Sequence, residues 1–431
     1  LLMVAPSNAS APPTGGPYDA QWKKIAALLA KDQTAAAQKL VLDIYQKART
    51  ARHSADYVRA LTYRLHILQE REEDADEKGI GLLETDLSTA PFPAKPLLHS
   101  LLAEQYHQYL RQNRYRLYDR TAAASGAGGT DDTSDPAADL ATWDAARLAG
   151  QVVRHYRASV DTEAPRQQQT RLAALGRLAT PADAQGAALR PTLYDLLAHR
   201  AIEGLNDDEL YLTKPAQQFR FIDSQLLGSD AEFLALPLTA PAADSLNGPW
   251  HALRLWQQLT RFHQQDAPAI RADVERLRLA FAYQHAAFPN KRAAYEAALR
   301  RAQQLYQALP AWADFQVELA QLAQQQNKLT EAAARAKAAI ERFPKSVGAA
   351  RAQELLNGLE HPELNVQTLA TQLPGQAMLL NVQYRNLSQA HGFAWKISGR
   401  AMLDEVLGRR AGELTKTYAK RLAAKPVAEW A

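Results

Sequence analysis

The sequence predicts a mainly α-helical protein, in which a tetratricopeptide-like helical solenoid is followed by an incomplete antiparallel β-sandwich. Three observations predict this fold. Apolar residues recur with helical spacing from residue 18 to 358, and a 34-residue repeat lies near the end of that region. Alternation of polar and apolar residues then replaces helical spacing near residue 360. The predicted divisions are a leader or signal-peptide remnant over 1–17, a helical region over 18–358, and the start of a sandwich over 359–431.

Composition narrows the class of protein. A chain of 431 residues corresponds to about two to three domains. Hydrophobic residues make up 47% of it and charged residues 22%, which fits a soluble protein with a sizeable core. A net charge of +4 over this length is too small to indicate nucleic-acid binding. Because the chain has no cysteine, disulfides, thiolate metal ligands and cysteine nucleophiles are excluded.

The two ends favour a piece of a longer, exported protein. An apolar start, LLMVA, runs into small residues over 7–13, as at the tail of a signal peptide; an arbitrary truncation is the equal alternative. The expected location is therefore the periplasm or the cell surface. No apolar run approaches the roughly 18 residues that a membrane span requires. The last residues, KPVAEWA, stop without a closing element.

Helices are predicted first by the stripe Trp22, Ile25, Leu28 and Leu29, whose spacing places these side chains on one face. Prolines then mark helix ends because proline lacks the amide donor and clashes with the preceding turn. A Gly/Asp-rich segment over 125–135 predicts a loop and lacks the glycine spacing of a phosphate-binding loop. The boundary residues before the repeat are Pro91, Pro93, Pro165, Pro181, Pro215, Pro237, Pro241 and Pro249.

The repeat is defined by Pro310 and Pro344, which are 34 residues apart. The residues Ala298, Ala302 and Leu305 precede the first proline as Ala332, Ala336 and Ala339 precede the second. Small residues at these offsets, closed by proline, are typical of a tetratricopeptide pair, whose second helix must approach the first closely. Gln316 and Ala336 replace the usual tryptophan and phenylalanine. Since two units are too few for a stable stack, the preceding helices are expected to continue the solenoid.

Beyond residue 360 the sequence predicts three antiparallel strands. Residues 363–369 alternate and should form a strand with one buried face, followed by a turn at 373–376. Alternation returns at 378–384 and at 393–397, and 402–423 is predicted to be helical or irregular. Three strands cannot close a sandwich, so this domain is expected to be incomplete.

No catalytic or metal-binding constellation is predicted. His99, Glu104 and His107 share one predicted helix, but eight residues separate the histidines by about 12 Å, too far for one metal ion. His251 and Glu275 fit no ligand spacing. The segment 111–120 interleaves arginine with tyrosine, as RNA-binding surfaces can; the favoured interpretation is a helix end with inward tyrosines and solvated arginines.

Several long segments carry a family resemblance. They are APFPAKPLLHS (90–100), LAEQY (102–106), QNRYRLYDRT (112–121), TWD (142–144), LRPTLYDLLAHRA (189–201) and LLNVQYRN (379–386). Together the chain resembles the N-terminal region of bacteroidete-type bacterial α2-macroglobulin family proteins, and the last segment resembles the start of their first macroglobulin β-sandwich. The resemblance implies a full-length protein that entraps proteases after cleavage of a bait region. The family's thioester needs a Cys-x-Glu-Gln element, which this cysteine-free chain lacks, so no functional residue of that mechanism is carried over.

The predicted function is therefore a non-enzymatic scaffold, with no catalytic, cofactor-binding or metal-binding residue. Its partners are expected to be proteins: proteases for the full-length protein by resemblance, and an unidentified partner for the helical region. The alternative is a stand-alone tetratricopeptide-type adaptor for protein–protein interaction. A helical hydrolase or lyase is disfavoured because no acid–base pairing is recognisable.

Overall fold

The protein is mainly helical, with two small antiparallel sheets towards its C-terminal end. The computed structural model describes residues 16–118, 140–178, 184–211, 215–368, 380–395, 399, 419 and 423–430. Within these ranges the α-helices are α1 (Asp19–Leu29), α2 (Thr34–Thr50), α3 (Ser54–Arg71), α4 (Ala75–Leu87), α5 (Ala94–Gln112), α6 (Arg114–Tyr118), α7 (Ala145–Asp161), α8 (Ala164–Gln169), α9 (Ala184–Leu189), α10 (Leu193–Leu205), α11 (Asp230–Ala235), α12 (Gly248–Phe262), α13 (Pro268–His285), α14 (Lys291–Leu305), α15 (Ala311–Gln325), α16 (Leu329–Arg342) and α17 (Val347–Glu360). The strands are β1 (Glu363–Thr368), β2 (Leu380–Arg385), β3 (Gly392–Ala394) and β4 (Ala428–Trp430).

Several predicted features lie outside the described residues. They are most of the leader over 1–17, the loop at 125–135, Pro181, the turn at 373–376 and almost all of 402–423. No helix in the described ranges has both the length and the apolar character that crossing a bilayer demands.

Helix starts follow the sequence chemistry. Pro165 and Pro249, each predicted to mark a helix end, lie in the first turns of α8 and α12, where a missing amide donor costs nothing. The side chain of Asn247 accepts a hydrogen bond from the Trp250 amide at the start of α12. These local signals explain why the helices begin where they do.

Most of the helices pack around one large apolar cluster, and α15, α16 and α17 share two smaller clusters. α5 is the most deeply immersed: Leu97, Leu98, Leu102 and Tyr106 are all completely buried. It packs most extensively against α7, while α2 packs on α3 and α10 on α12. Because neighbouring helices bury each other's apolar stripes, helix formation and core formation reinforce each other.

The helices of the 34-residue repeat pack closely. Ala332, Ala336 and Ala339 of α16 are completely buried against α15 and α17, as their size requires. Gly348 serves the same purpose, because a Cβ atom there would lie 2.6 Å from the Asp314 amide nitrogen. The correspondence between the two units ends at Leu305, whose side chain is 60% exposed, whereas Ala339 is enclosed.

The strands pair differently from the predicted three-stranded arrangement. β1 and β2 form an antiparallel ribbon in which Val366 lies opposite Val382, whereas β3 pairs with β4. The strand predicted at 363–369 is present, but its predicted buried face is wrong within the described residues. Leu364, Val366, Val382 and Tyr384 lie on one face of the ribbon, and each is at least 44% exposed. A two-stranded ribbon has no second layer to cover that face.

Candidate functional site

A cleft of about 520 Å³ opens between α9, α13, the start of α15 and the segment joining α16 to α17. We call it the α13–α15 cleft. Its lining residues are Ala188, Leu189, Ala269, Ala272, Asp273, Arg276, Pro310, Ala311, Asp314, Phe315, Arg342, Phe343, Pro344, Lys345 and Ser346.

The walls of the α13–α15 cleft are mostly apolar and built from small side chains. Ala269, Ala272 and Arg276 follow helical spacing and therefore share one face of α13. Pro310 and Ala311 form the opposite wall at the start of α15. Because alanine and proline fill little space, the helices leave an opening where larger side chains would close it.

The floor of the cleft begins with a buried carboxylate, Asp273. The Arg190 side chain binds it through Nε at 2.9 Å, and Arg276 donates to it from its own helix at 3.3 Å. Burial alone would raise the pKa of Asp273, but the hydrogen bond and charge of Arg190, with the charge of Arg276, lower it overall. Asp273 is therefore an ionised, fully partnered group.

The ion-pair network continues across α15 to α17. Arg276 donates to Glu318 at 3.2 Å, and Arg351 of α17 donates to Glu318 at 2.9 Å and to Asp314 at 3.1 Å. Burial raises the pKa of Asp314 although Arg276 and Arg351 oppose the shift. Three carboxylates and three arginines, counting Asp273 and Arg190, thus balance in charge and hold α13, α15 and α17 together.

The rim is made by the turn between α16 and α17. Ser346 caps α17 by accepting from the Ala349 amide at 3.0 Å, so its hydroxyl is committed to the backbone. The Arg342 guanidinium lies over the Trp312 ring, 4.5 Å from its centroid. Lys345 is exposed beside them. The rim is consequently cationic above a neutral floor.

The histidines and acids weighed from the sequence do not converge. In α5, the Nδ1 atom of His99 lies 3.0 Å from that of His155, and Glu104 binds Arg200 at 2.7 Å. His107 faces Asp207 at 3.2 Å. Across the part of the chain that the structure describes, no three His, Asp or Glu side chains are grouped to hold a metal ion.

The remaining two candidate residues, His251 and Glu275, form hydrogen bonds with different partners. His251 Nε2 donates to the Ser245 carbonyl at 2.8 Å, which anchors the start of α12. Glu275 accepts from the Tyr306 hydroxyl at 3.0 Å, inside the core. Both contacts join neighbouring segments of the fold.

The arginine-rich segment at 111–120 differs from its prediction. Tyr115 is 73% exposed, so its predicted inward packing is wrong, and Leu117 supplies the buried contact instead. Arg114 is tied to Glu209 at 2.9 Å and to the Tyr115 hydroxyl at 2.8 Å. Internal partners thus engage Arg114 in this short helix.

Sequence spacing missed a buried histidine between two carboxylates. His263 Nε2 lies 2.7 Å from Asp195, and its Nδ1 lies 2.6 Å from Asp266. Asp195 also closes a capping box with Thr192 at the start of α10. Burial opposes the imidazolium, but the hydrogen bonds and charges of the two aspartates raise the pKa of His263 above its ordinary value. No local pattern links residues 68 positions apart.

Replacing Asp195 by asparagine should lower the free energy of unfolding by about 3 kcal/mol at pH 5.5, because it breaks a buried ion pair. The raised pKa makes this stabilisation complete below the unfolded pKa of about 6.5 and progressively lost as the pH rises through the folded pKa. The loss at pH 9 should therefore be clearly smaller. Urea unfolding at both pH values measures it, with Glu70→Gln at the exposed His66–Glu70 pair as control. An equal loss at both pH values would contradict a charged His263.

Comparison with known proteins does not assign a function to this chain. No protein-family profile, curated protein or solved structure matches this chain. The functional argument therefore starts from the residues that form the cleft.

Proposed function

We propose that the chain is a non-enzymatic scaffold whose α13–α15 cleft holds a segment of a protein partner. One observation carries the proposal: an open cleft of about 520 Å³ with apolar walls stands over a floor that is already ion-paired. Because ion pairs already hold the side chains of the floor in place, little side-chain entropy is lost when a ligand binds. Apolar walls supply the contact area for a leucine-sized or aromatic side chain.

Binding is favoured over catalysis because the polar groups of the lining are committed to structure. Asp273 is neutralised by two arginines, Asp314 by Arg351, and Ser346 caps a helix. A general acid or base needs a partner positioned for proton transfer to a substrate. The carboxylates of the cleft instead join neighbouring helices.

The order of the helices supports the same proposal. α13 with α14 and α15 with α16 are successive helical pairs, followed by α17, and the network lies on α13, α15 and α17. In a tetratricopeptide-like stack the first helices of successive pairs line the concave surface. If the proposed stack is present, we expect the α13–α15 cleft to lie on the surface that receives extended segments.

We further propose that this scaffold precedes the macroglobulin sandwiches of an exported α2-macroglobulin-like protein. The family resemblance of segments 90–100, 102–106, 112–121, 189–201 and 379–386 supports this assignment, and so does the change from helices to strands after α17. The exposed apolar face of the β1–β2 ribbon suits one layer of a sandwich, which requires a second. The full-length protein would then entrap proteases.

The test of the cleft is selection of random twelve-residue peptides displayed on phage. Ala269→Trp should fill the α13–α15 cleft and reduce recovery of the enriched peptides at least tenfold, since Ala269 lies on its wall. The matched control is Ala297→Trp, on the exposed face of α14. Circular dichroism of both variants checks that the fold is retained. Equal recovery with both variants, or no enrichment on the parent protein, would reject the cleft as the binding site.

The family assignment has a separate test. The complete protein, expressed from the gene read on both sides of this segment, is incubated with proteases of different specificity. One discrete cut with a change in electrophoretic mobility is expected. No discrete cut with any protease would reject entrapment, and a gene without further sandwiches would favour the adaptor.

A further inference from the structure

A second cavity, of about 320 Å³, lies far along the chain from the α13–α15 cleft. It sits where the turn between α2 and α3 meets the segment after α4, and we call it the α2–α3 cavity. Its lining residues are Ala48, Arg49, Arg52, Ser54, Tyr57, Thr89, Ala90 and Pro91. Two arginines and three hydroxyl-bearing side chains line it, and no lining residue is acidic.

The arginines give the α2–α3 cavity a positive charge that its surroundings cancel only in part. Arg49 donates to two neutral oxygens, the Tyr45 hydroxyl at 3.2 Å and Thr89 Oγ1 at 3.1 Å. The nearest carboxylate, Asp86, lies 3.6 Å from Arg49 but is buried outside the lining and accepts from Tyr45 at 2.7 Å. Arg52 is exposed at the mouth. Among the described ion pairs, Asp86 therefore offsets the charge of Arg49, and the charge of Arg52 remains.

The backbone adds to this potential. α3, which is 18 residues long, begins at Ser54 on the cavity wall, and His53 provides no side-chain cap. A helix N-terminus carries partial positive charge. The acidic residue of the first turn, Asp56, accepts from the Trp22 indole at 2.8 Å and does not line the cavity.

We propose that the α2–α3 cavity binds the phosphate group of a small phosphorylated molecule. Arg49 and Arg52 supply charge-assisted hydrogen bonds in the forked geometry that phosphate oxygens match. The Ser54 and Thr89 hydroxyls supply further donors. A volume of about 320 Å³ holds on the order of ten waters, more than a bare ion needs, so space remains for the group that carries the phosphate.

The experiment titrates the protein with inorganic phosphate and follows binding by ³¹P NMR line broadening, with sodium chloride at matched ionic strength throughout. Saturable binding to the parent protein is expected. Arg52→Gln should weaken it at least about tenfold, because one charge-assisted contact is lost. The control is Arg71→Gln, at the far end of α3, which removes the same charge and should leave binding unchanged.

The variants of the two arginines distinguish binding in the cavity from nonspecific binding. Arg52 has an exposed side chain, so Arg52→Gln tests the cavity without removing a core contact. Arg49→Gln, checked for folding by circular dichroism, should weaken binding as well. Absence of saturable binding, or equal affinity of the Arg52→Gln and Arg71→Gln proteins, would overturn the proposal. Neither result bears on the α13–α15 cleft, whose test uses different residues.

Discussion

Replacing Arg278 by methionine should lower the free energy of unfolding by about 4 kcal/mol, because this arginine is completely buried and fixes a separate segment to α13. Its guanidinium donates to the Leu226 carbonyl at 3.1 Å, to the Gly228 carbonyl at 3.1 Å and to Asp230 at 3.3 Å. Methionine fills similar space but satisfies none of these acceptors. Urea unfolding followed by circular dichroism measures the loss.

Glu275 makes the substitution more costly. Its carboxylate lies 4.0 Å from Arg278, and burial raises its pKa, so removal of the arginine leaves a buried acid with less compensation. Adding Glu275→Gln to Arg278→Met should therefore recover part of the loss. The exposed pair of Arg300 with Glu296 provides the control, Arg300→Met, with a change below about 0.5 kcal/mol. Equal losses at Arg278 and Arg300 would contradict the anchoring role.

Acidification should destabilise the protein through the His99–His155 pair between α5 and α7. Burial lowers the pKa of His99 to about 4 and that of His155 to about 3. The Nδ1 atoms, 3.0 Å apart, form a hydrogen bond only when one ring donates and the other accepts. The unfolded chain takes up protons below about pH 6.5, so stability is full above that pH and lost as pH falls towards 4 and 3.

The expected contribution of His155 between pH 7 and pH 4 is about 3 kcal/mol, from about 1.4 kcal/mol per pH unit. A His155→Gln protein should lose about 3 kcal/mol less than the parent over that range. His66→Gln is the control, since His66 is exposed. Unfolding free energies measured at several pH values decide the matter. Parallel pH profiles of the parent and His155→Gln would show that the pair does not control acid stability.

Much of the helical architecture could be predicted because its signals are local. The spacing of Trp22 and Ile25 predicts one buried face, and both side chains are buried. Pro165 and Pro249 fix helix starts within a residue or two by their covalent geometry. Small residues such as Ala336 predict close helix packing, which needs only the neighbouring helix.

The rest depends on contacts between distant parts of the chain. Arg190 and Asp273 are 83 residues apart, and only the folded helices bring them to one cleft floor. β3 pairs with β4 rather than with the preceding strand, and alternation cannot specify a partner. Tyr115 is an aromatic residue, expected to pack inward, but in the short helix α6 its side chain is exposed to solvent. In each case the missing information is tertiary.

The β1–β2 ribbon should open locally more readily than the helical core. Its cross-strand hydrogen bonds join Glu363–Thr368 to Leu380–Arg385, and among the described residues Val366 and Tyr384 stay exposed. Local opening there exposes little new surface, so its amide hydrogens should exchange with solvent through fluctuations that leave the helices intact. Amides in the middle of α5, most of whose side chains are buried, should exchange only when the helical core itself unfolds. We therefore expect the β1–β2 ribbon to have a much lower local stability than the helical core.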